Sequence, residues 1–282
     1  MAELAEARLG GAAQAGLGPG PGPAKAGPPR HRSRWRRWLY LAVVVAVYVV
    51  SWRLADVDLP RLARGLSTMF GWAAKAWPPS TRELPLILER AGETVAIAVI
   101  GTTLATVIAV AICVPAARNL TPSPWVRLPS RLLLNTLRGV DSFVFALLFV
   151  AAVGLGPFAG MLGVAFHSSG SIGKLFAETL EGLPAGPLEA AELTGASRLK
   201  TVCYALVPDA MPGLASVALY MFEFNIRSSI VLGVVGAGGI GQQLKNSIEL
   251  LDFPRLLTIV LVILAMVTFV DQLSGRLRKQ LA

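Results

Sequence analysis

The sequence predicts an all-helical, polytopic membrane protein with about six transmembrane helices, on three observations. Of its 282 residues, 54% are hydrophobic and only 15% are charged, against about 25% charged in a soluble domain. Several apolar runs reach membrane length. The net charge of +9 gathers at the two ends and in two internal stretches, the distribution of a topology signal. No nucleic-acid motif accompanies that charge, so the chain is not expected to bind nucleic acid.

Residues 1–34 are expected to be a flexible, basic cytoplasmic tail. Ala, Gly and Pro dominate it up to residue 29 and bury too little apolar surface to offset the entropy of ordering. Residues 35–54 form the first span. Its apolar core runs over 39–50, with Trp38 and Trp52 near the two interfaces. The basic flank resembles that of a signal peptide, but no small-residue cleavage site follows, so the helix is expected to be retained. Residues 55–90 read as an external loop, with basic and acidic residues nearly balanced. Leu62, Leu66, Met69 and Phe70 mark an interfacial helix within it.

Residues 91–278 form the transmembrane core. The second span covers 94–114 and stops before Pro115. The third runs from 142 to 153 and continues through Gly154-Leu155-Gly156-Pro157. The fourth, 158–180, is diluted by Ser168, Ser169, Ser171 and Lys174. The fifth, 211–235, contains Glu223 and Arg227, and the sixth, 256–270, is the most purely apolar. Six spans put the amino end, the loop with Arg118, Arg127, Arg131 and Arg138, the segment with Arg198 and Lys200, and the tail with Arg276, Arg278 and Lys279 on one side. The positive-inside rule makes that side the cytoplasm, with both termini in it.

Between the fourth and fifth spans, residues 187–208 read as a helix-turn-helix hairpin. Pro187 suits the start of a short helix and Gly195 the left-handed position past its end. Ser197 caps a second helix, which Pro208 is expected to terminate. Leu199, Val202, Cys203 and Leu206 fall at i, i+3, i+4 and i+7, an apolar stripe that needs either a partner surface or its own bundle to cover it.

Glu189-Ala190-Ala191, three residues, Gly195, nine residues and then Ala205-Leu206-Val207-Pro208 resembles the EAA signature of bacterial ABC importer permeases. Ala205 and Val207 replace the Ile and Leu of that pattern. The resemblance implies a type I ABC importer permease fold over about residues 91–278. It also implies a coupling loop at 187–208 (Glu189, Ala190, Ala191, Gly195, Pro208) that docks on cytoplasmic ABC ATPase subunits. A periplasmic or surface substrate-binding protein, a second copy of the chain and membrane lipid are the other expected partners. The stretches 220–229, 231–241, 154–160 and 173–178 look like the phosphonate-importer permeases. They imply a phosphonate or a related oxyanion such as phosphite or a phosphate ester as cargo, carried across the bacterial inner membrane. A permease for another small solute, such as an amino acid or osmoprotectant, is the alternative within the class, and an ion-coupled secondary transporter the alternative outside it.

Within the fifth span, Glu223 and Arg227 are four residues apart and share a helix face. Charges in a span face a bundle interior or an aqueous cavity. Two readings stand: the pair neutralises itself and fixes helix packing, or Arg227 passes an oxyanion while Glu223 holds it in place. Asn225 adds a hydrogen bond if the helix turns it inward.

Gly236-Ala237-Gly238-Gly239-Ile240-Gly241 matches GxGxxG, but Glu249 and Asp252 lie too close to serve as the ribose-binding acid, and a span follows. Gly236, Gly238, Gly239 and Gly241 instead predict a helix break or gate. Gly170-Ser171-Ile172-Gly173-Lys174-Leu175 lacks the first glycine and the final Ser or Thr of a phosphate loop. The chain is therefore expected to be no enzyme and to carry no cofactor, with ATP-Mg held by the partner ATPase. Cys113 and Cys203 show no CxxC spacing, and His31 and His167 lie far apart, so no metal site is expected.

Overall fold

The computed structural model describes residues 34–184, 186, 193, 195 and 197–281, and every regular element among them is helical. The chain divides into two units, residues 1–65 and 66–282. In the first, helix α1 (Arg34–Leu54) carries exposed apolar side chains throughout, the surface expected of a helix whose solvent is lipid. Helix α2 (Leu59–Lys75) then begins behind Asp58, which accepts a hydrogen bond from the Arg61 amide at 3.0 Å, as an N-cap acid does. In the second unit, Leu66, Met69 and Phe70 of α2 are exposed, and Trp72 stacks on Phe253 with ring centroids 5.3 Å apart.

The core of the second unit is built by α3 (Leu84–Ala116), α4 (Pro124–Gly139), α5 (Ser142–Val153), α6 (Pro157–Glu181), α8 (Val207–Val234), α9 (Ile240–Glu249) and α10 (Phe253–Leu281). A single turn, α7 (Arg198–Thr201), leads through a π-helical stretch, Val202–Leu206, into α8. Helix α6 packs against α3, α4, α5 and α8. It reaches them through small residues: Ala159, Gly160, Gly163, Ser168, Ser169, Gly170 and Gly173 are all buried. A Cβ at Gly163 would meet the Ala146 backbone of α5 at 2.9 Å. Helices approach this closely only where a side chain is missing.

Among the described residues, four helices (α1, α3, α8, α10) are long and apolar enough to cross a membrane, or five spans if the bent pair α4–α5 makes one. The expected fourth span, α6, has the length but is less apolar, because its polar residues turn toward protein. The expected second span starts ten residues early, at Leu84, and runs through Pro115. Arg90 and Glu93 pair at 2.5 Å one turn apart, which lets both charges sit inside a helix. The third span does not continue through the glycine turn: α5 stops at Val153, and Gly154 and Gly156 take φ of 93° and 138°. Twelve residues rise only about 18 Å, too short for a hydrocarbon core of about 30 Å. Helix α4, expected as basic loop, precedes α5 across an 85° bend. Asp141 caps the restart at that bend by accepting from the Phe143 amide at 2.8 Å.

Candidate functional site

Glu223 and Arg227 of α8 are both paired, but not with each other. Glu223 is buried and binds Arg278, while Arg227 Nη2 lies 3.1 Å from Asp271 Oδ1. Both partners belong to α10, and the crossed order of the pairs (223 with 278, 227 with 271) marks an antiparallel neighbour. The expectation that Glu223 braces Arg227 is therefore corrected. A carboxylate inside the bundle takes the guanidinium that a facing helix brings to it, because leaving both charges unpaired in lipid is costly. The Arg227 side chain remains 54% exposed, so only Glu223 is sequestered.

Asn225 turns inward, at 1% exposure. Its Nδ2 donates to Thr102 Oγ1 of α3 at 2.8 Å, and its Oδ1 accepts from Ser168 Oγ of α6 at 2.8 Å. One amide thus ties three helices by satisfying polar groups that have no water to turn to. Arg278, Asp271, Thr102 and Ser168 are absent from the sequence-derived site. For Thr102 and Ser168 the only sequence signal is polarity inside apolar runs, Asp271 and Arg278 lie past the expected sixth span, and pairing across 44 to 123 residues leaves no spacing to read.

The glycine segment does break the helix. Helix α8 ends at Val234, Gly236, Gly238 and Gly239 have φ of 86°, 80° and 77°, and α9 restarts at Ile240. A Cβ on Gly238 would lie 2.7 Å from Glu93 Oε1 and 2.9 Å from Pro157 N. Gly156 N–H donates to Gly236 O at 2.9 Å, and the Ile240 amide donates to Thr94 Oγ1 at 2.8 Å. Gly241 lies within α9, pressed on the Ile230 carbonyl. Glycine is required here for positive φ and close approach together. A helix, not a strand, precedes the motif, so the dinucleotide context is missing.

Glu189, Ala190 and Ala191 of the expected coupling loop lie outside the described residues. Gly195 is exposed with φ of 68°, the left-handed geometry of a helix end. Pro208 does not terminate a helix. It sits in the first turn of α8, and the π-helical stretch ahead of it closes with Val207 N–H donating to Val202 O. Proline has no amide to lose in a first turn. Val202 and Leu206 of the apolar stripe are buried in the chain itself, whereas Leu193 and Tyr204 are 89% and 83% exposed.

Residues 101–282 match the model of the family described as "Binding-protein-dependent transport system inner membrane component". The chain is 46% identical, over 87% of both chains, to HtxC of Stutzerimonas stutzeri, provisionally named a phosphite transport system permease protein. It is 39% identical to the phosphite transport system permease protein PtxC of the same organism, over 87% of this chain and 90% of that one. Identity to the phosphate-import permease protein PhnE of Mycolicibacterium smegmatis is 37%, over 89% of this chain and 47% of that one. Among solved structures, an inward-facing form of the MetNI methionine ABC transporter superposes with a TM-score of 0.64 at 20% identity. It covers 72% of this chain and 99% of that one. The fold is that of the type I ABC importer permeases. The chain belongs to the binding-protein-dependent transport system inner membrane component family: it is a permease subunit of an ABC importer, a transport subunit served by separate ATPase subunits.

Proposed function

We propose that this permease imports a phosphorus oxyanion (phosphite, phosphate, a phosphonate or a phosphate ester) across the cytoplasmic membrane. The observation that carries the reading is the 46% identity, over nearly nine-tenths of both chains, to a relative named for phosphite transport. Two copies of the chain form the pathway, with both termini in the cytoplasm. A substrate-binding protein delivers the anion from outside. A pair of cytoplasmic ATPases pulls on residues 187–208, and each nucleotide state favours one orientation of the bundle. The exposed Leu193 and Tyr204 support a contact there, as does the turn geometry of Gly195. Glu223, Asn225 and Arg227 contribute to the pathway, with the glycine break at 236–241 as its gate.

The test is growth of a host stripped of its own phosphate, phosphite and phosphonate importers, given this permease with its partner ATPase and binding protein. Growth on at least one of these compounds as sole phosphorus source is expected, and growth on none contradicts the reading. Gly195→Asp, which forces a side chain into positive φ at the loop, is expected to weaken co-purification of the ATPase. Undiminished recovery would count against the coupling loop.

A further inference from the structure

Two cavities adjoin along one seam on α6, the first a polar one facing α4, the second facing Arg138 of α4 and the side of α8. The first, of about 350 Å³, is lined by Arg118, Arg131, Asn135, Lys174, Glu178 and Glu181, with Ala116, Leu134 and Ala177. The second, of about 240 Å³, is lined by Arg138, His167, Ser171, Lys174, Glu178 and Tyr220, with Leu175, Met221 and Phe224. Lys174 and Glu178 line both, so the cavities adjoin.

The sequence spacing explains the seam. Arg131, Asn135 and Arg138 fall at i, i+4 and i+7 on α4, and His167, Ser171, Lys174 and Glu178 at i, i+4, i+7 and i+11 on α6, so each set shares one face. Glycines set the two helices together between these stripes. A Cβ on Gly170 would lie 2.5 Å from Arg138 N, and one on Gly173 would lie 2.5 Å from Leu134 Cδ2. The backbones touch, and the long polar side chains fringe the contact. From His167 to Glu181 the stripe rises about 21 Å along the helix, most of the depth of a half-bilayer and its interface.

The charges do not cancel. Glu181 Oε1 accepts from Arg131 and from the Arg118 amide, the latter at 2.6 Å. Lys174 Nζ is 3.7 Å from Glu178 Oε1, a loose contact with an exposed carboxylate. Arg118 and Arg138 have no carboxylate partner among the described residues. His167 Nδ1 lies 2.8 Å from the Val140 carbonyl. That contact makes Nδ1 the donor and leaves Nε2 to accept from the hydroxyl of a monoprotonated oxyanion.

We propose that this seam on α6, where α4 and α8 meet it, is a phosphorus-oxyanion site, with Lys174 as the contact shared by both cavities and Arg138 and His167 flanking it. A tetrahedral oxyanion takes charge-assisted hydrogen bonds from Lys and Arg better than any neutral solute does. The proposal rests on the substrate reading above and names the side chains that meet the cargo. The same phosphate chemistry belongs to an anionic lipid headgroup, and the experiment separates the two sources.

The full transporter is assembled with its ATPase and binding protein in liposomes. Uptake of phosphite, inorganic phosphate and methylphosphonate is then measured below saturation. Lys174→Gln is expected to lower uptake roughly tenfold, the effect of one lost charge-assisted hydrogen bond. Lys174→Arg is expected to restore most of it. Co-purification of the Lys174→Gln permease with its ATPase at the wild-type ratio is expected, which excludes misassembly. In a chain with Cys113 and Cys203 replaced by Ala, Ser171→Cys reacts with a negatively charged methanethiosulfonate, and saturating phosphite slows that labelling roughly threefold.

Unchanged uptake by Lys174→Gln beside a transporting wild type overturns the seam and leaves the substrate reading intact. Retention of anionic lipid by wild type and its loss from Lys174→Gln, read by native mass spectrometry with uptake unchanged, assigns the seam to a headgroup and also overturns the proposal. A wild type that hydrolyses ATP yet carries none of the three compounds overturns the substrate reading and the seam together.

Discussion

Helices α6 and α10 are both long enough to cross a bilayer, yet they are built from opposite materials. Val260, Leu261, Leu264, Phe269 and Leu273 of α10 are exposed, while α6 buries glycines, alanines and serines on several faces. The outer helix is apolar because lipid is its solvent. The inner helix is small-residued because its neighbours must come close, and polar because protein groups answer its hydroxyls. Hydropathy therefore finds α10 at once and understates α6, whose place in the fold is the more central.

The contrast is sharpest at Gly163. Gly163→Leu drives a side chain into the Ala146 backbone and is expected to cost about 3 kcal/mol. The readout is a lower unfolding midpoint in detergent and loss of the monodisperse complex. Wild-type stability would break the claim that α6 is the packing centre.

Glu223→Leu comes next. It strips the partner from Arg278, which at 35% exposure can still reach water, so about 2 kcal/mol is expected rather than the full penalty of a buried charge. Arg227→Ala, at an exposed pair, is expected to cost under about 1 kcal/mol and to leave assembly intact while abolishing uptake. Normal uptake by that variant would remove Arg227 from the pathway. Asn225→Leu leaves Thr102 and Ser168 without their shared partner and is expected to cost about 1 kcal/mol. Thermal unfolding against Thr102→Val/Asn225→Leu reads the coupling as non-additivity. At the outer helix, Leu264→Ala is expected to shift stability by under about 0.5 kcal/mol. A loss like that of Gly163→Leu would mean that α10 is covered by protein.

The same contrast explains what was legible in the sequence. The ends of α1, the stop after Val234 and the body of α10 follow from apolar runs and glycines, which are local signals. Helix α4 was hidden because its arginines serve as a topology signal as well as a helix face. The true start of α3 was hidden by Arg90 and Glu93, whose mutual neutralisation appears only once the helix exists. Pro208 reads as a stop because proline usually ends a helix, but the preceding π-helical stretch turns it into a first-turn residue. At the candidate site, the sequence leaves open whether Asn225 turns inward, and it does not show the partners of Glu223 and Arg227, since helix spacing predicts which residues share a face but not which helix that face meets.

The most direct test of the transport account is accumulation of phosphite in liposomes that hold the full transporter, with ATP enclosed on the ATPase side and binding protein outside. The account predicts uptake that requires ATP and persists when a protonophore collapses the proton gradient. Uptake that needs no ATP and vanishes with the gradient would contradict it.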